Sequence, residues 1–330
     1  MASPTTRRAA GSEARTASSD RPPPEPSETA AASEAAEGPA RAEAPEPRPL
    51  RGAFDWRSQA FGPRLRDVSP ETHRRPSRAP RPACTEYPAA LYAAVHTGNP
   101  GDVDFYRRAC AAAESVLELG VGAGRVAQAL AADGLEVVGL DRDGGLLELA
   151  RCNAPGVELV HADMRDFDLG RRFDRVLIPY NGLYCLLRPE DLRDCLRCAR
   201  AHLKDGGLLV FDGYSAELFH AEAEGDGSED APGLVRTVDA LGTSWDVFEH
   251  SRWDRAEQRI DAVYTHVPRD GRPAVSATIP QRYVLADELE ALLASCGLDL
   301  VVLHGSWDQE AFDLDSRLLI ATATPRTARA

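Results

Sequence analysis

Three glycines, Gly120, Gly122 and Gly124, stand between an apolar run and a helical run, and that junction is where this chain is best placed to do chemistry. Val116, Leu117 and Leu119 suit a buried parallel strand, and Val126, Ala127, Ala129 and Leu130 recur at helical spacing up to a stop at Asp133-Gly134. A strand that becomes a helix through glycine can bend sharply, admit a ligand close to the backbone and offer it the free N–H groups of the helix start. A nucleotide-like cofactor fits such a turn. A dinucleotide fingerprint would need a glycine at position 125, but that residue is Arg125 and the third glycine falls one place earlier, which disfavours NAD. The next apolar run, Leu135 to Leu140, ends on Asp141, about 20 residues beyond the turn, where a carboxylate can accept both hydroxyls of a ribose.

With Glu118 two places before the first glycine, the stretch resembles the glycine-rich motif of class I S-adenosylmethionine-dependent methyltransferases. The resemblance implies that Glu118 faces the methionine end of the cofactor, that Gly120, Gly122 and Gly124 wrap it, and that Asp141 holds its ribose. A third strand, Val157 to Val160, leads to His161-Ala162-Asp163-Met164, which resembles the family's acidic site beside the adenine. Asp163 would then take the exocyclic amine, with Met164 next to it. His161 reads as a satisfied histidine and not as a catalyst.

The fourth strand, Arg175 to Ile178, runs into Pro179-Tyr180-Asn181-Gly182-Leu183-Tyr184. There, at the carboxyl edge of the sheet, the family brings methyl group and acceptor together, so Pro179 is expected on the cofactor side. Ile178-Pro179-Tyr180-Asn181 departs from the Asn/Asp/Ser-Pro-Pro-Tyr/Phe of amino-methylating DNA enzymes, lacking the first polar group and the second proline. A nucleobase is therefore disfavoured and a small-molecule acceptor, methylated on O or N, is expected.

The reaction is mostly alignment of acceptor, carbon and sulfur, with a base needed only if the nucleophile starts protonated. Tyr180, Asn181 and His250 are the catalytic candidates, and Tyr92, His96, Tyr184, Tyr264, Arg282 and Tyr283 the candidates to line the acceptor pocket. For each of these, packing or surface exposure is the competing reading. A cofactor-binding regulatory or scaffold module without catalysis is the rival for the whole chain.

The elements that must position these residues follow a Rossmann-like, doubly wound α/β pattern with a seven-stranded sheet and a final antiparallel strand. A helix from Glu190 to Leu203 and a charged, glycine-rich stop at Lys204-Asp205-Gly206-Gly207 precede a fifth strand, Leu208 to Phe211. Gly225 to Gly233 reads as a polar loop. The stretch 234–284 then switches to period-2 alternation, as in Trp245-Val247-Glu249 and Ile260-Ala262-Tyr264, and reads as a small antiparallel sheet inserted after the fifth strand. The resemblance implies that such a sheet roofs the substrate pocket, as it does in similar enzymes. A last helix, capped by Gly297, leads to strands Leu298 to Leu303 and Leu318 to Ala323. In the methyltransferases this chain resembles, the region of Tyr92 and His96 folds over the cofactor as a lid, so these two residues either touch the ligands or merely pack.

The 330 residues carry a net charge of -14, which disfavours an extended nucleic-acid footprint. Residues 1–83, rich in Pro, Ala, Arg and Glu with almost no Val or Ile, are expected to be disordered; Phe54, Trp56 and Phe61 form an apolar island within them. The catalytic domain is expected over 84–323, with 324–330 as a tail. No apolar run approaches the roughly 20 residues of a membrane span. Seven cysteines without an export signal point to reduced thiols in a cytoplasm. Cys195 and Cys198, three apart on one helix face and without a second ligand pair, read as core residues, so no metal is expected.

Overall fold

The computed structural model describes residues 87–223, 225–228 and 231–326. The expectations for the N-terminal region, its aromatic island and the last four residues lie outside these. Two helices, α1 (Ala89–Val95) and α2 (Asp102–Ala109), precede β1 (Ser115–Leu119). Then come α3 (Arg125–Ala132), β2 (Glu136–Asp141), α4 (Gly144–Asn153), β3 (Glu158–His161), β4 (Phe173–Ile178), a 3-10 turn (Gly182–Cys185), α5 (Pro189–Ala201) and β5 (Leu203–Tyr214). After α6 (Glu217–Glu222) the chain makes β6 (Asp226–Ser228), β7 (Gly233–Ala240), β8 (Thr243–Asp254), β9 (Arg259–Pro268) and β10 (Val275–Arg282). It closes with α7 (Ala286–Ser295), β11 (Leu298–His304) and β12 (Leu318–Pro325).

The main sheet has the order β11-β12-β5-β4-β1-β2-β3, parallel except for the β11–β12 hairpin, whose strand β12 joins β5 antiparallel. Strand alternation splits its side chains between two cores. Leu117, Leu119, Val176, Ile178, Leu209 and Phe211 pack with α5 and α7, while Val116, Leu177 and Val210 pack with Phe105 and Tyr106 of α2 and Val126 and Leu130 of α3. The same parity puts Glu118 and Asp212 on the α2–α3 side, at the carboxyl edge of the sheet. Cys195 is a core residue, and Cys198 donates its thiol to the Arg165 carbonyl at 3.2 Å.

Three boundaries differ from the sequence reading, the simplest being that Thr324 and Pro325, expected in the tail, continue β12 and pair with β11. Lys204 to Gly207 is no stop before a strand but a bulge inside β5. The ladder to β4 jumps from Phe173↔Leu203 to Arg175↔Leu208, Gly206 takes a φ of 74°, and Lys204 reaches the Asp174 carboxylate at 3.0 Å. The inserted sheet also starts earlier, because Asp226–Ser228, expected as loop, pairs with the far end of β8. Gly227 permits that pairing, since a Cβ there would lie 2.5 Å from the Trp253 ring; a short polar edge strand shows no apolar alternation to read.

The insertion is a five-stranded antiparallel sheet in which β8 and β9 form the centre. Val247, Ala262 and Tyr264 on one face pack with Val95 of α1, so roof and lid share a small core. Arg236 of β7 fixes the join by donating to the Val95 carbonyl at 2.7 Å.

Candidate active site

The glycine turn is built from the sheet outward. After β1, Gly120 and Val121 both donate to the Leu140 carbonyl at the end of β2, at 2.8 and 3.0 Å. Gly120, Gly122 and Gly124 all take positive φ, of 72°, 54° and 86°, but for two different reasons. A Cβ on Gly124 would meet Ala154 and Ala150 of α4 at 3.1 and 3.3 Å, so this glycine serves helix packing. A Cβ on Gly120 or Gly122 would point into open space, so at these two the positive φ and not crowding calls for glycine, and the backbone stays accessible from that side.

Glu118 and Asp141 face that space from adjacent strand ends. Asp141 accepts the Gly122 amide at 2.8 Å and the Asp143 amide at 2.9 Å, which orients its carboxylate. Burial raises the Asp141 pKa, against the lowering effect of those two amides. Glu118 is only 3% exposed, and its Oε2 has no partner among the described residues. Burial pushes its carboxyl up to about 8, countered in part by Arg125 and by the Ala127 amide. A buried carboxylate oxygen without a partner costs on the order of 1–3 kcal/mol, a cost that a ligand ammonium would remove.

Asp163 sits differently from its neighbours. Arg165 holds it through Nε at 2.9 Å and Nη2 at 2.6 Å and also bonds Asp191, and this side-chain pairing lowers the Asp163 pKa. Met164 is partly buried against the core behind it, and His161 is satisfied by the Arg142 carbonyl at 2.9 Å.

β4 ends in a strained corner. Pro179 is buried, and Tyr180 and Asn181 follow in the left-handed region at φ 55° and 59°, which costs non-glycine residues energy unless their surroundings fix them. Two anchors do so. Asp212, buried at the end of β5, accepts from the Tyr180 amide at 2.9 Å and the Tyr106 hydroxyl at 2.5 Å, and Asn181 Oδ1 accepts from the Tyr214 amide at 2.9 Å. Burial pushes the Asp212 carboxyl up to about 6.

An aromatic cage stands over this corner. His96 lies tilted against Tyr92 at 4.4 Å and meets Tyr264 edge-on at 5.0 Å and Tyr180 at 6.3 Å; Tyr87 touches His96 in turn and His266 packs on Tyr87. Lid, roof and sheet edge therefore converge on one aromatic cluster. Burial lowers the His96 pKa to about 3 and that of His266 to about 4, so both imidazoles are neutral near pH 7. His96 Nε2 has no partner among the described residues.

The structure thus brings together Glu118, Gly120, Gly122, Asp141, Pro179, Tyr180, Asn181, Tyr92, His96 and Tyr264. It places four acceptor-side candidates elsewhere. Tyr184 is 1% exposed in the main core with its hydroxyl donating to the Tyr214 carbonyl at 3.2 Å, and Tyr283 is fully buried there beside His220. Arg282 lies at the end of β10 and donates to Gln258 at 2.6 Å, in the turn between β8 and β9. His250 pairs with Val263, whereas Glu249 pairs with Tyr264, so strand alternation turns His250 to the face opposite the cage.

Sequence reading missed Gln281, which the register puts on the cage's face of the roof. It is 4% exposed, its amide bonds the Cys185 thiol of the 3-10 turn, and its Oε1 has no partner among the described residues. An open cleft of about 860 Å³ between the 99–101 and 305–318 loops shares no lining residue with this cluster. Among the described residues no group of His, Cys, Asp and Glu could hold a metal ion, and no helix is long and apolar enough to cross a membrane.

A glycine turn flanked by acids at the β1 and β2 ends and facing an aromatic cluster at the end of β4, on a sheet of this strand order, suits a transferase that uses a nucleoside-type donor. A methyltransferase-domain family model matches residues 116–207. The chain is 32% identical to the dTDP-3-amino-3,6-dideoxy-alpha-D-glucopyranose N,N-dimethyltransferase of Streptomyces fradiae over 187 residues, covering 53% of this chain and 69% of that one. In three dimensions it resembles the CcbJ methyltransferase of Streptomyces caelestis, with a TM-score of 0.61, 28% identity, and coverage of 73% of this chain and 98% of that one. It also resembles S-adenosylmethionine-bound CalS10, an amino pentose methyltransferase of Micromonospora echinaspora, with a TM-score of 0.50, 26% identity, and coverage of 68% and 88%. The chain belongs to the class I S-adenosylmethionine-dependent methyltransferases, and it is an enzyme of the kind that acts on small molecules. Nothing in these likenesses favours a non-catalytic module.

Proposed function

We propose that this enzyme methylates an amino nitrogen of a small molecule, with an amino sugar as the acceptor class. The observation that carries the reading is the cage at the β4 corner: four tyrosine rings around His96, whose neutral imidazole has an Nε2 without a partner among the described residues and so can hydrogen-bond the amine of an acceptor. The relative named for an amino-sugar N,N-dimethyltransferase supports the same class.

The residues that would hold S-adenosylmethionine are Glu118 at its ammonium, Gly120 and Gly122 along its backbone-facing edge, and Asp141 at its ribose. Asp163 serves the adenine only if Arg165 shares it. When bound, the cofactor supplies an electrophilic methyl carbon on a sulfonium. The chain's own part is to hold the nucleophile in line and to keep it unprotonated. A buried aromatic wall disfavours an ammonium by desolvation, which frees the amine lone pair. A neutral His96 can take an N–H hydrogen bond without repelling the sulfonium, and the faces of Tyr92 and Tyr264 suit a cationic centre. The strained Tyr180–Asn181 corner, held by Asp212, sets the floor against which the acceptor is aligned.

The six described cysteines are free thiols, which suits a reducing compartment such as the cytoplasm. The test is a panel of primary and secondary amino sugars, free and nucleotide-linked, incubated with the full chain and S-adenosylmethionine. Methylated amine with stoichiometric S-adenosylhomocysteine is expected; methylation confined to hydroxyl-only analogues of the same sugars would overturn the amine reading.

A further inference from the structure

Arg125 occupies the first helical position of α3, directly after Gly124. A cation there opposes the helix dipole, so the residue is poorly placed for helix stability and must earn its position elsewhere. Its guanidinium forks onto Asp102 of α2, Nη1 to Oδ1 at 2.8 Å and Nη2 to Oδ2 at 2.7 Å. The Asp102 side chain is 4% exposed, and its Oδ2 also accepts the Asn99 amide at 3.0 Å. The loop 96–101, which carries His96 into the cage, lies against the same guanidinium. Gly98 has a φ of 88°, and a Cβ on it would fall 2.2 Å from the Arg125 Cζ. The guanidinium is also 5.9 Å from the Tyr180 ring centroid and lies close enough to Glu118 to favour its charged form. One side chain therefore touches the loop behind the lid, the β4 corner and the field of the cofactor acid.

From this geometry we infer that Arg125 is a positioning residue that couples the cofactor turn to the seat of the 96–101 loop, so that a ligand at Glu118 and the placement of His96 depend on each other. The inference rests on the cofactor site described under the proposed function. Lysine cannot replace arginine here, because a point charge cannot make the planar fork that fills both Asp102 oxygens. Gly98→Ala offers a second route, since it displaces the loop from the guanidinium while leaving the glycine turn and its acids intact.

The experiment is titration calorimetry with S-adenosylmethionine together with hydrogen–deuterium exchange of segment 92–101, on the full chain and on Arg125→Lys and Gly98→Ala. In the wild type the cofactor should slow exchange across 92–101. Both variants should bind it about tenfold more weakly and lose that slowing, at melting temperatures that confirm folding. A wild-type chain that gives no binding heat overturns the cofactor reading and this inference with it. Wild-type binding that leaves 92–101 unprotected, or folded variants with unchanged affinity and unchanged protection, overturns this inference alone. A lower melting temperature with protection intact would mark Arg125 as structural, and that too refutes the coupling.

Discussion

Cofactor binding should release a proton, and Glu118 is the residue that releases it. Burial holds its carboxyl at about 8 in the free protein, with the nearby Asp141 and Asp102 carboxylates adding to the effect. At pH 7 the side chain is therefore mostly protonated, whereas an ammonium in the site requires the carboxylate. Below about pH 8 each unit of pH then costs about 1.4 kcal/mol, or tenfold in affinity. Between about pH 6 and about pH 7.5 the affinity for S-adenosylmethionine should rise about twentyfold, and at pH 7 about nine-tenths of a proton should leave per ligand bound. Calorimetry in two buffers of different ionisation enthalpy counts that proton directly. Glu118→Gln, which cannot titrate, should bind weakly with a flat pH profile and no buffer-dependent heat. A wild-type affinity that is constant over the same range, with equal heats in both buffers, would refute the assignment of Glu118 to the ammonium.

The same residue makes a stability prediction: its folded pKa lies above the unfolded value, so the stability it contributes is present below about pH 4.5 and is lost as pH rises through about 8. Free Glu118→Gln should accordingly melt higher than wild type at pH 8.5 and alike at pH 4. Asp141→Ala should weaken S-adenosylmethionine binding about tenfold to a hundredfold by calorimetry, the worth of charge-assisted bonds to a ribose; unchanged affinity in a folded protein removes Asp141 from the site. Gln281→Met should leave the melting temperature about equal, because deleting an unpartnered buried oxygen offsets the lost bond to the Cys185 thiol, and should lower kcat/KM for the acceptor about tenfold. Tyr184→Phe should do the reverse, costing about 1 kcal/mol of stability through its lost bond to Tyr214 and leaving acceptor kinetics unchanged.

The geometry of the proposed cofactor half is legible because its residues are local: glycines with positive φ, an acid two places before them and an acid at the next strand end all follow from one strand–turn–helix unit. The acceptor half was not, because it is assembled across lid, roof and sheet edge. Alternation in Trp245-Val247-Glu249 already turns His250 outward, so its exclusion was available from periodicity alone. Tyr184 and Tyr283 could not be told from pocket residues, since a buried tyrosine satisfied by a carbonyl or a histidine has the same local sequence as one that meets a ligand. Gln281 and the Asp102–Arg125 fork carry no local signal at all; their roles arise from contacts about 20 residues or more apart, which only the register and the fold can bring together. The bulge at Lys204–Gly207 was misread as a stop for a related reason, because glycine after charge marks a helix end and a bulge equally well.

The central claim is that a roofed aromatic cluster presents an uncharged amine to the cofactor held by Glu118 and Asp141. Its most direct measurement is mass spectrometry of amino-sugar acceptors after incubation with the full chain and S-adenosylmethionine, alongside His96→Phe. The account predicts acceptors that gain one or two methyl groups on nitrogen, with His96→Phe keeping cofactor affinity but losing most of the turnover. Cofactor binding with no methylated amine from any acceptor, or full turnover by His96→Phe, would contradict it.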